Sequence, residues 1–189
     1  MKVNVKPLQG PWTSGYALDK HTVSSRYLGD DDNGRPQFET DRTEVGEAVF
    51  KLKYRSDWSQ IDPLADAALQ HGIPNARQIT AVVAMPASTV RARQPVTELA
   101  AAIAQRLNVP VLDVLSKAAT AQLKNLSTRD EKDAVLSDAF RVGDVPGGPH
   151  HVLLVDDLFH TGASMVAGCR ALLTSPAIDK VSIAAMTWR

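Results

Sequence analysis

The chain has 189 residues, 44% hydrophobic and 22% charged, with 21 Lys+Arg balancing 21 Asp+Glu. That composition supports one sizeable core, and zero formal net charge disfavours a general electrostatic nucleic-acid binder. The single cysteine, Cys169, excludes an internal disulfide and a cysteine-based zinc site; no stretch approaches the roughly 18 apolar residues of a membrane span, and the opening MKVNVKPLQGPW lacks a signal-peptide core, so a cytoplasmic location is expected.

Residues 1–41 are polar and rich in Thr, Ser, Asp and Gly. Asn33-Gly34 is a strong turn signal between residues 22–28 and 37–40, which predicts a hairpin or ordered arm. Trp12, Tyr16, Tyr27 and Phe38 give this region something to bury. Residues 1–42 are expected to form a small cap, or hood, laid against a main α/β domain at 43–189.

Thr43 is placed to cap a helix that carries Val45, Ala48, Val49 and Leu52 at helical spacing. Lys51, Lys53 and Arg55 near its end suit the helix dipole. A second helix is expected from Asp62 as N-cap, with Pro63 in its first turn and Gly72 as its stop. Residues 79–85, ITAVVAM, read as a parallel-type strand. It runs into the small, hydroxylated turn Pro86, Ala87, Ser88, Thr89, followed by Arg91 and Arg93. Residues 96–107 read as an alanine-rich amphipathic helix ending at Asn108, and 109–115 as a second short strand.

Residues 116–150 are the least regular part. Thr128 with Glu131 fits a capping box, so a helix is expected over 129–138; 140–142 reads as a short extended piece, and GDVPGGPH at 143–150 as a breaker. An excursion of this length reads as a lid, binding loop or linker. An uninterrupted apolar run follows, Val152, Leu153, Leu154 and Val155, as in a strand buried on both faces. It leads into Asp156 and Asp157, then the small turn Thr161-Gly162-Ala163-Ser164, a helix over 164–173 and a last strand over 181–186.

Strands alternating with helices predict an open, mostly parallel, doubly wound sheet with right-handed crossovers. Numbering the four expected strands along the chain, the order is 2-1-3-4 if the second strand lies on one side of the first and the third on the other. The switch point then lies between the strands ending at Met85 and Val155, where ligands bind in open α/β sheets. Both unusual turns, 86–89 and 156–164, fall there. The Asp156-Asp157 pair suits ribose-type hydroxyls or a metal shell. The turn at 161–164 offers backbone N–H groups and the Thr161 and Ser164 hydroxyls to a phosphate, and an ordinary N-cap uses the same donors. The 86–89 turn, with Arg91 or Arg93, suits a second anion, and Lys117, Lys124, Arg129 and Lys132 lie where an excursion could bring them to it. There is no GxxxxGK[ST], GxGxxG or GxSxG motif, and the five histidines show no metal-ligand spacing with cysteines.

The run VLLVDDLFHTGAS at 152–164 resembles the phosphoribosyl-diphosphate (PRPP) motif of type I phosphoribosyltransferases: four apolar residues, two acids, a short spacer, then Thr-Gly-x-Ser/Thr. Residues 122–140, QLKNLSTRDEKDAVLSDAF, loosely resemble the segment between the second and third strands in the ComF, or amidophosphoribosyltransferase-like, group associated with competence. The likeness covers roughly residues 45–189. Phe159 and His160 replace smaller spacer residues, and residues 1–41 stand where ComF proteins carry a cysteine cluster.

The resemblance implies that Asp156 and Asp157 hold the ribose hydroxyls of PRPP and that His160, Thr161, Gly162, Ala163 and Ser164 cradle its 5′-phosphate. Pro86, Ala87, Ser88 and Thr89, with Arg91, would form the diphosphate loop. Mg²⁺ would bridge diphosphate and ribose, with Asp156 and Asp157 as its nearest protein carboxylates. The implied reaction is attack of a nitrogen nucleophile on the anomeric carbon with release of diphosphate, the nucleophile being chosen by a hood. The alternative is a PRPP- or nucleotide-binding module without transferase activity, in regulation or DNA uptake. A receiver-type or hydrolase domain is disfavoured, because the turn at 161–164 would have no role there. The expected partners are PRPP and a small nucleophile, without a membrane and with nucleic acid disfavoured by charge; a homodimer is allowed.

Overall fold

A computed structural model of the protein describes residues 1–73, 75–89, 91–117 and 139–189. The expected lid helix at 129–138, Lys124, Arg129, Lys132 and most of the 122–140 segment lie outside the described residues.

The elements in chain order are β1 (Lys6–Pro7), β2 (Ser14–Lys20), β3 (Ser24–Asp30), β4 (Pro36–Asp41), α1 (Glu44–Arg55), α2 (Ile61–Ala67), β5 (Ala81–Ala84), α3 (Pro95–Leu107), β6 (Leu115–Lys117), β7 (Phe140–Val142), β8 (His150–Phe159), α4 (Ala163–Leu172) and β9 (Ile178–Trp188). The central sheet has the order β1-β2-β9-β8-β5. β2, β9, β8 and β5 are mutually parallel, and β1 is antiparallel on the outer edge. The protein is therefore an α/β fold with a mostly parallel sheet.

Two apolar layers sandwich the sheet. One gathers Leu153 and Val155 of β8 with residues of α1, α2 and α3. The other gathers Val152 and Leu154 with Met165 and Leu172 of α4. Successive side chains of a strand point to opposite faces, so an all-apolar run fills both layers. Leu153 and Leu154 are 1% and 0% exposed, and each such burial stabilises by about 1.5–3 kcal/mol.

The helix signals at α1 and α3 hold. Thr43 Oγ1 accepts from Gly46 N at 3.0 Å, and Asn108 closes α3 in the left-handed conformation. At α2 the expected cap is displaced. A 3₁₀ turn, Trp58–Gln60, capped by Asp57, runs directly into Ile61–Ala67, so Asp62 lies inside the first turn. Asp62 and Asp66 instead pair with Arg106 of α3, at 2.8 and 2.7 Å.

Three strand expectations change. Residues 109–115 do not form a strand: only Val111 bridges to Val82, while Leu115 begins β6, which pairs antiparallel with β7. The order 2-1-3-4 survives, with this bridge in the place of the second strand. The run at 152–155 is the middle of a longer strand. β8 continues because β9 runs beside it, pairing Asp156 with Ala185, Leu158 with Thr187 and Phe159 with Trp188.

Finally, the segment expected as a cap supplies β1 and β2 to the central sheet, and only β3–β4 stand apart as a two-stranded hairpin. Its turn lies at Gly34, φ +71°, where the sequence signal put it. Tyr27 and Phe38 pair across the hairpin, 5.6 Å between ring centroids, but remain exposed rather than buried.

Candidate functional site

Because β2, β5, β8 and β9 are parallel, their C-terminal ends share one edge of the sheet. The loop after β5 and the turn after β8 leave from that edge and enclose a cleft of about 440 Å³. Pro86, Ala87, Ser88, Thr89 and Arg91 line one side; Asp156, Asp157 and Ser164 line the other. A smaller hollow of about 100 Å³ sits inside the turn, lined by His160, Thr161, Gly162, Ala163 and Ser164. Asp156, Leu158 and Ser164 belong to both spaces. The two sequence-distant turns therefore meet: residues 86–89, Arg91, Asp156, Asp157 and residues 160–164 each line one space or the other, whereas Arg93 lines neither.

The two carboxylates have different surroundings because they lie within β8. Strand alternation puts Asp156 on the α4 face, with Val152 and Leu154, and Asp157 on the α1 face, with Leu153 and Val155. Asp156 Oδ1 accepts from the Asp157 N–H at 2.8 Å. Burial at the cleft floor, and then the neighbouring Asp157 charge, push the Asp156 carboxyl up to about 7.

Asp157 is held by Lys53 of α1, with Nζ 2.7 Å from Oδ2 and 3.0 Å from Oδ1. The Asp157 carbonyl accepts from Thr187 Oγ1 at 2.9 Å, and Thr187 Oγ1 lies 3.1 Å from His21 Nδ1. Burial, followed by the cations Arg189 and Arg42, holds the buried His21 imidazolium below the usual range.

The phosphate-type turn is built by Gly162, φ +81°. A Cβ there would lie 2.6 Å from the Phe159 ring, which itself packs edge-on against Trp12 at 6.3 Å. The unusual spacer residue Phe159 is thus the base of the turn, whereas His160 is exposed. The Gly162 carbonyl accepts from Val166 N at 2.8 Å, starting α4. The first N–H groups of α4 lack intrahelical partners.

On the opposite turn, Gln94 Nε2 donates to the Thr89 carbonyl at 2.9 Å, and Lys117 Nζ reaches Ser88 Oγ at 3.3 Å. Arg91 lines the cleft, whereas Arg93 stacks on Trp58, 4.1 Å from its ring centroid, and pairs with Glu98 at 2.6 Å.

No protein-family model and no curated protein matches the chain. Solved structures do. The UMP synthase of Leishmania donovani is 17% identical over 87% of this chain, with a TM-score of 0.42; this chain spans 29% of that protein. The orotate phosphoribosyltransferase of Aeropyrum pernix is 20% identical, covering 84% of this chain and 71% of that one, with a TM-score of 0.45. The adenine phosphoribosyltransferase of Thermoanaerobacter pseudethanolicus is 19% identical, covering 87% and 95%, with a TM-score of 0.43.

Lys53, Tyr54 and Gln94 also line the cleft; Tyr54 and Gln94 carry no sequence signal for a site, and Lys53 reads from sequence as a cation suiting the helix dipole. A further signal for Lys53 was present: it continues the i, i+4 series Val45, Val49, Lys53, whose first two members are buried. A lysine extending an apolar stripe points along the core face rather than into solvent.

Among the described residues there is no group of three or more His, Cys, Asp or Glu that could hold a metal by itself, and no helix long and apolar enough to cross a membrane. The carboxylates that line the cleft, among the described residues, are those of Asp156 and Asp157. That set suits an ion held largely by a ligand's own oxygens and by water, as Mg²⁺ often is.

Proposed function

We propose that the protein is a PRPP-dependent phosphoribosyltransferase that moves the phosphoribosyl group to a nitrogen nucleophile and releases diphosphate. One observation carries this reading: Asp156 and Ser164 line both the cleft and the hollow of the 160–164 turn. A single ligand spanning both spaces needs a terminal phosphate at one end, hydroxyls beside Asp156 and a second anion beside the 86–89 turn. PRPP has these parts in this order.

In this reading the N–H groups at the start of α4 and the Thr161 and Ser164 hydroxyls hold the 5′-phosphate. Asp156 accepts from a ribose hydroxyl. The 86–89 backbone, Arg91 and Lys117 hold the diphosphate. Asp157 acts through Lys53, fixing its ammonium at the cleft wall, where it offsets charge on the leaving group. The nucleophile's lone pair forms the new bond to the anomeric carbon as the bond to diphosphate breaks, and the electron pair leaves on diphosphate. Rate enhancement comes from positioning and charge neutralisation in a closed site. Asp156 would hold Mg²⁺, which would supply further neutralisation of the phosphate charge. The β3–β4 hairpin follows the C-terminal end of β2 and therefore rises from the same edge of the sheet; it is the proposed hood.

PRPP with Mg²⁺ should raise the melting temperature, since ligand at a hundred times its Kd stabilises the native state by about 2.7 kcal/mol. No shift at millimolar PRPP removes the reading. Diphosphate release with a panel of bases and amines separates a transferase from a binding module, which would show the shift and no release.

A further inference from the structure

Thr187 is fully buried near the end of β9, just past the buried apolar run Ile183, Ala184, Ala185 and Met186. A hydroxyl in such surroundings costs stability unless it is bonded, and this one is bonded twice. It donates to the Asp157 carbonyl at 2.9 Å and lies 3.1 Å from His21 Nδ1. The donors present fix the directions. A carbonyl only accepts, so the hydroxyl spends its single proton on Asp157 and offers His21 a lone pair. His21 Nδ1 therefore carries a hydrogen, and in the neutral ring Nε2 carries none. His21 is itself held from two further sides. Its N–H donates to the Trp188 carbonyl at 2.8 Å, and its own carbonyl lies so close to Gly46 of α1 that a Cβ there would strike it. The circuit closes on the same helix: about two turns beyond Gly46, Lys53 grips the Asp157 carboxylate at 2.7 Å.

We propose that His21 and Thr187 are positioning residues for the phosphoribosyl transfer, acting through Asp157 on Lys53. The inference rests on the phosphoribosyltransferase reading and adds to it two residues outside the substrate's reach. Neither lines the cleft, so any effect they have on transfer passes through the residues they hold. The chain from His21 Nδ1–H through the Thr187 hydroxyl pins the Asp157 main chain from behind the cleft floor. With its carbonyl pinned, Asp157 presents its carboxylate to Lys53 in one direction, and the Lys53 ammonium stays at the cleft wall opposite the leaving diphosphate. Charge builds on diphosphate as its bond to the anomeric carbon breaks. A misplaced ammonium therefore costs more in the transition state than in the PRPP complex. PRPP has supports outside this chain, since the first N–H groups of α4, Arg91 and Lys117 do not act through Thr187. Slackening the chain should slow transfer more than it weakens PRPP binding.

Four substitutions separate the hydrogen bonds from packing. Thr187→Val keeps the shape without the hydroxyl, and Thr187→Ser keeps the hydroxyl. His21→Asn places an amide N–H near the position of Nδ1, and His21→Leu places none. Diphosphate release from PRPP and Mg²⁺ is measured with the acceptor of the panel that gives the highest wild-type rate, at a temperature where every variant is folded. In Thr187→Val kcat should fall about ten- to a hundredfold, as for a displaced catalytic group, with KM for PRPP changed by less than about threefold. Thr187→Ser and His21→Asn should recover most of the rate, and His21→Leu should lose it. Lys53→Met supplies the decisive readout. The loss from Thr187→Val should largely vanish in a Lys53→Met background, because both changes act on one ammonium; a merely structural role would leave two independent losses. An unchanged kcat in Thr187→Val, a loss carried by KM rather than kcat, no recovery in Thr187→Ser, or independent losses in the double variant overturns the inference while wild-type PRPP binding and diphosphate release stand. ¹⁵N NMR of the wild-type His21 ring at pH 8 should show a protonated Nδ1 and a bare Nε2, and the opposite tautomer overturns the inference whatever the variants do. Wild-type protein that binds PRPP but releases no diphosphate is the separate result that removes the parent reading, and this inference with it.

Discussion

Lys53 reaches Asp157 across 104 residues of sequence, its ammonium 2.7 Å from one carboxylate oxygen and 3.0 Å from the other. The pair ties the last turn of α1 to the strand that forms the cleft floor. It also separates the roles of two adjacent aspartates, leaving Asp156 toward the phosphate-type turn and Asp157 toward a cation.

Lys53→Met should lower stability by about 1.5–3 kcal/mol, the usual worth of a hydrogen bond to a charged group. The Lys53 side chain keeps 27% of its exposure and that of Asp157 12%, so solvent screening places the effect toward the lower end. Urea midpoints at neutral pH check this, and an unchanged midpoint would mean that the pair contributes nothing net.

Asp156 ties pH to stability. Its folded pKa is raised to about 7, so between about pH 4 and 7 the native carboxyl keeps a proton that the unfolded chain has released. Native protein then binds more protons, and stability falls as pH rises through that window. Asp156→Asn should remove this part of the pH dependence, so its stability relative to wild type should be higher at pH 8 than at pH 4. Paired denaturation curves at the two pH values measure the difference, and parallel profiles would count against the shift.

His21 acts with the opposite sign. Burial depresses its folded pKa, so below about pH 6.5 the unfolded chain takes up a proton that the native imidazole resists. Stability from this group is present above that pH and is lost as pH falls. His21→Gln should flatten the acid limb of the stability profile, measured by thermal melts from pH 7.5 to 5. Retention of the wild-type limb would assign the acid loss to other groups.

Two glycines differ in what they protect. A Cβ on Gly46 would lie 2.1 Å from the His21 carbonyl oxygen, which is backbone and cannot step aside. Gly46→Ala should cost about 1–3 kcal/mol or more by overpacking. Gly162→Ala should instead act on the site, because it strains a φ of +81° and presses on the Phe159 ring. PRPP affinity should fall further in Gly162→Ala than in Gly46→Ala when both are compared at a temperature where each is folded.

Much of this protein is legible locally. The Thr43 and Asn108 caps, the turn at Gly34, the alternation of strands and helices, and the Asp-Asp and Thr-Gly-Ala-Ser pairing follow from propensities and hydrogen-bonding needs that act over a few residues. The meeting of the two turns at one edge was also readable, because parallel topology dictates where strand ends gather.

Other features depend on partners far away in the chain. β2 joins the sheet through β9, 168 residues away at the Ser14–Ser182 contact, and its short polar sequence carried no such signal. β8 extends to Phe159 only because β9 offers it continued hydrogen bonds. That extension assigns Asp156 and Asp157 to opposite faces, and α1 then brings Lys53 to one of them. The sequence by itself determined which chemical groups stand at the switch point. The tertiary structure decided which way each one faces, because a strand's length and the surroundings of its side chains are set by the neighbours it pairs with and packs against.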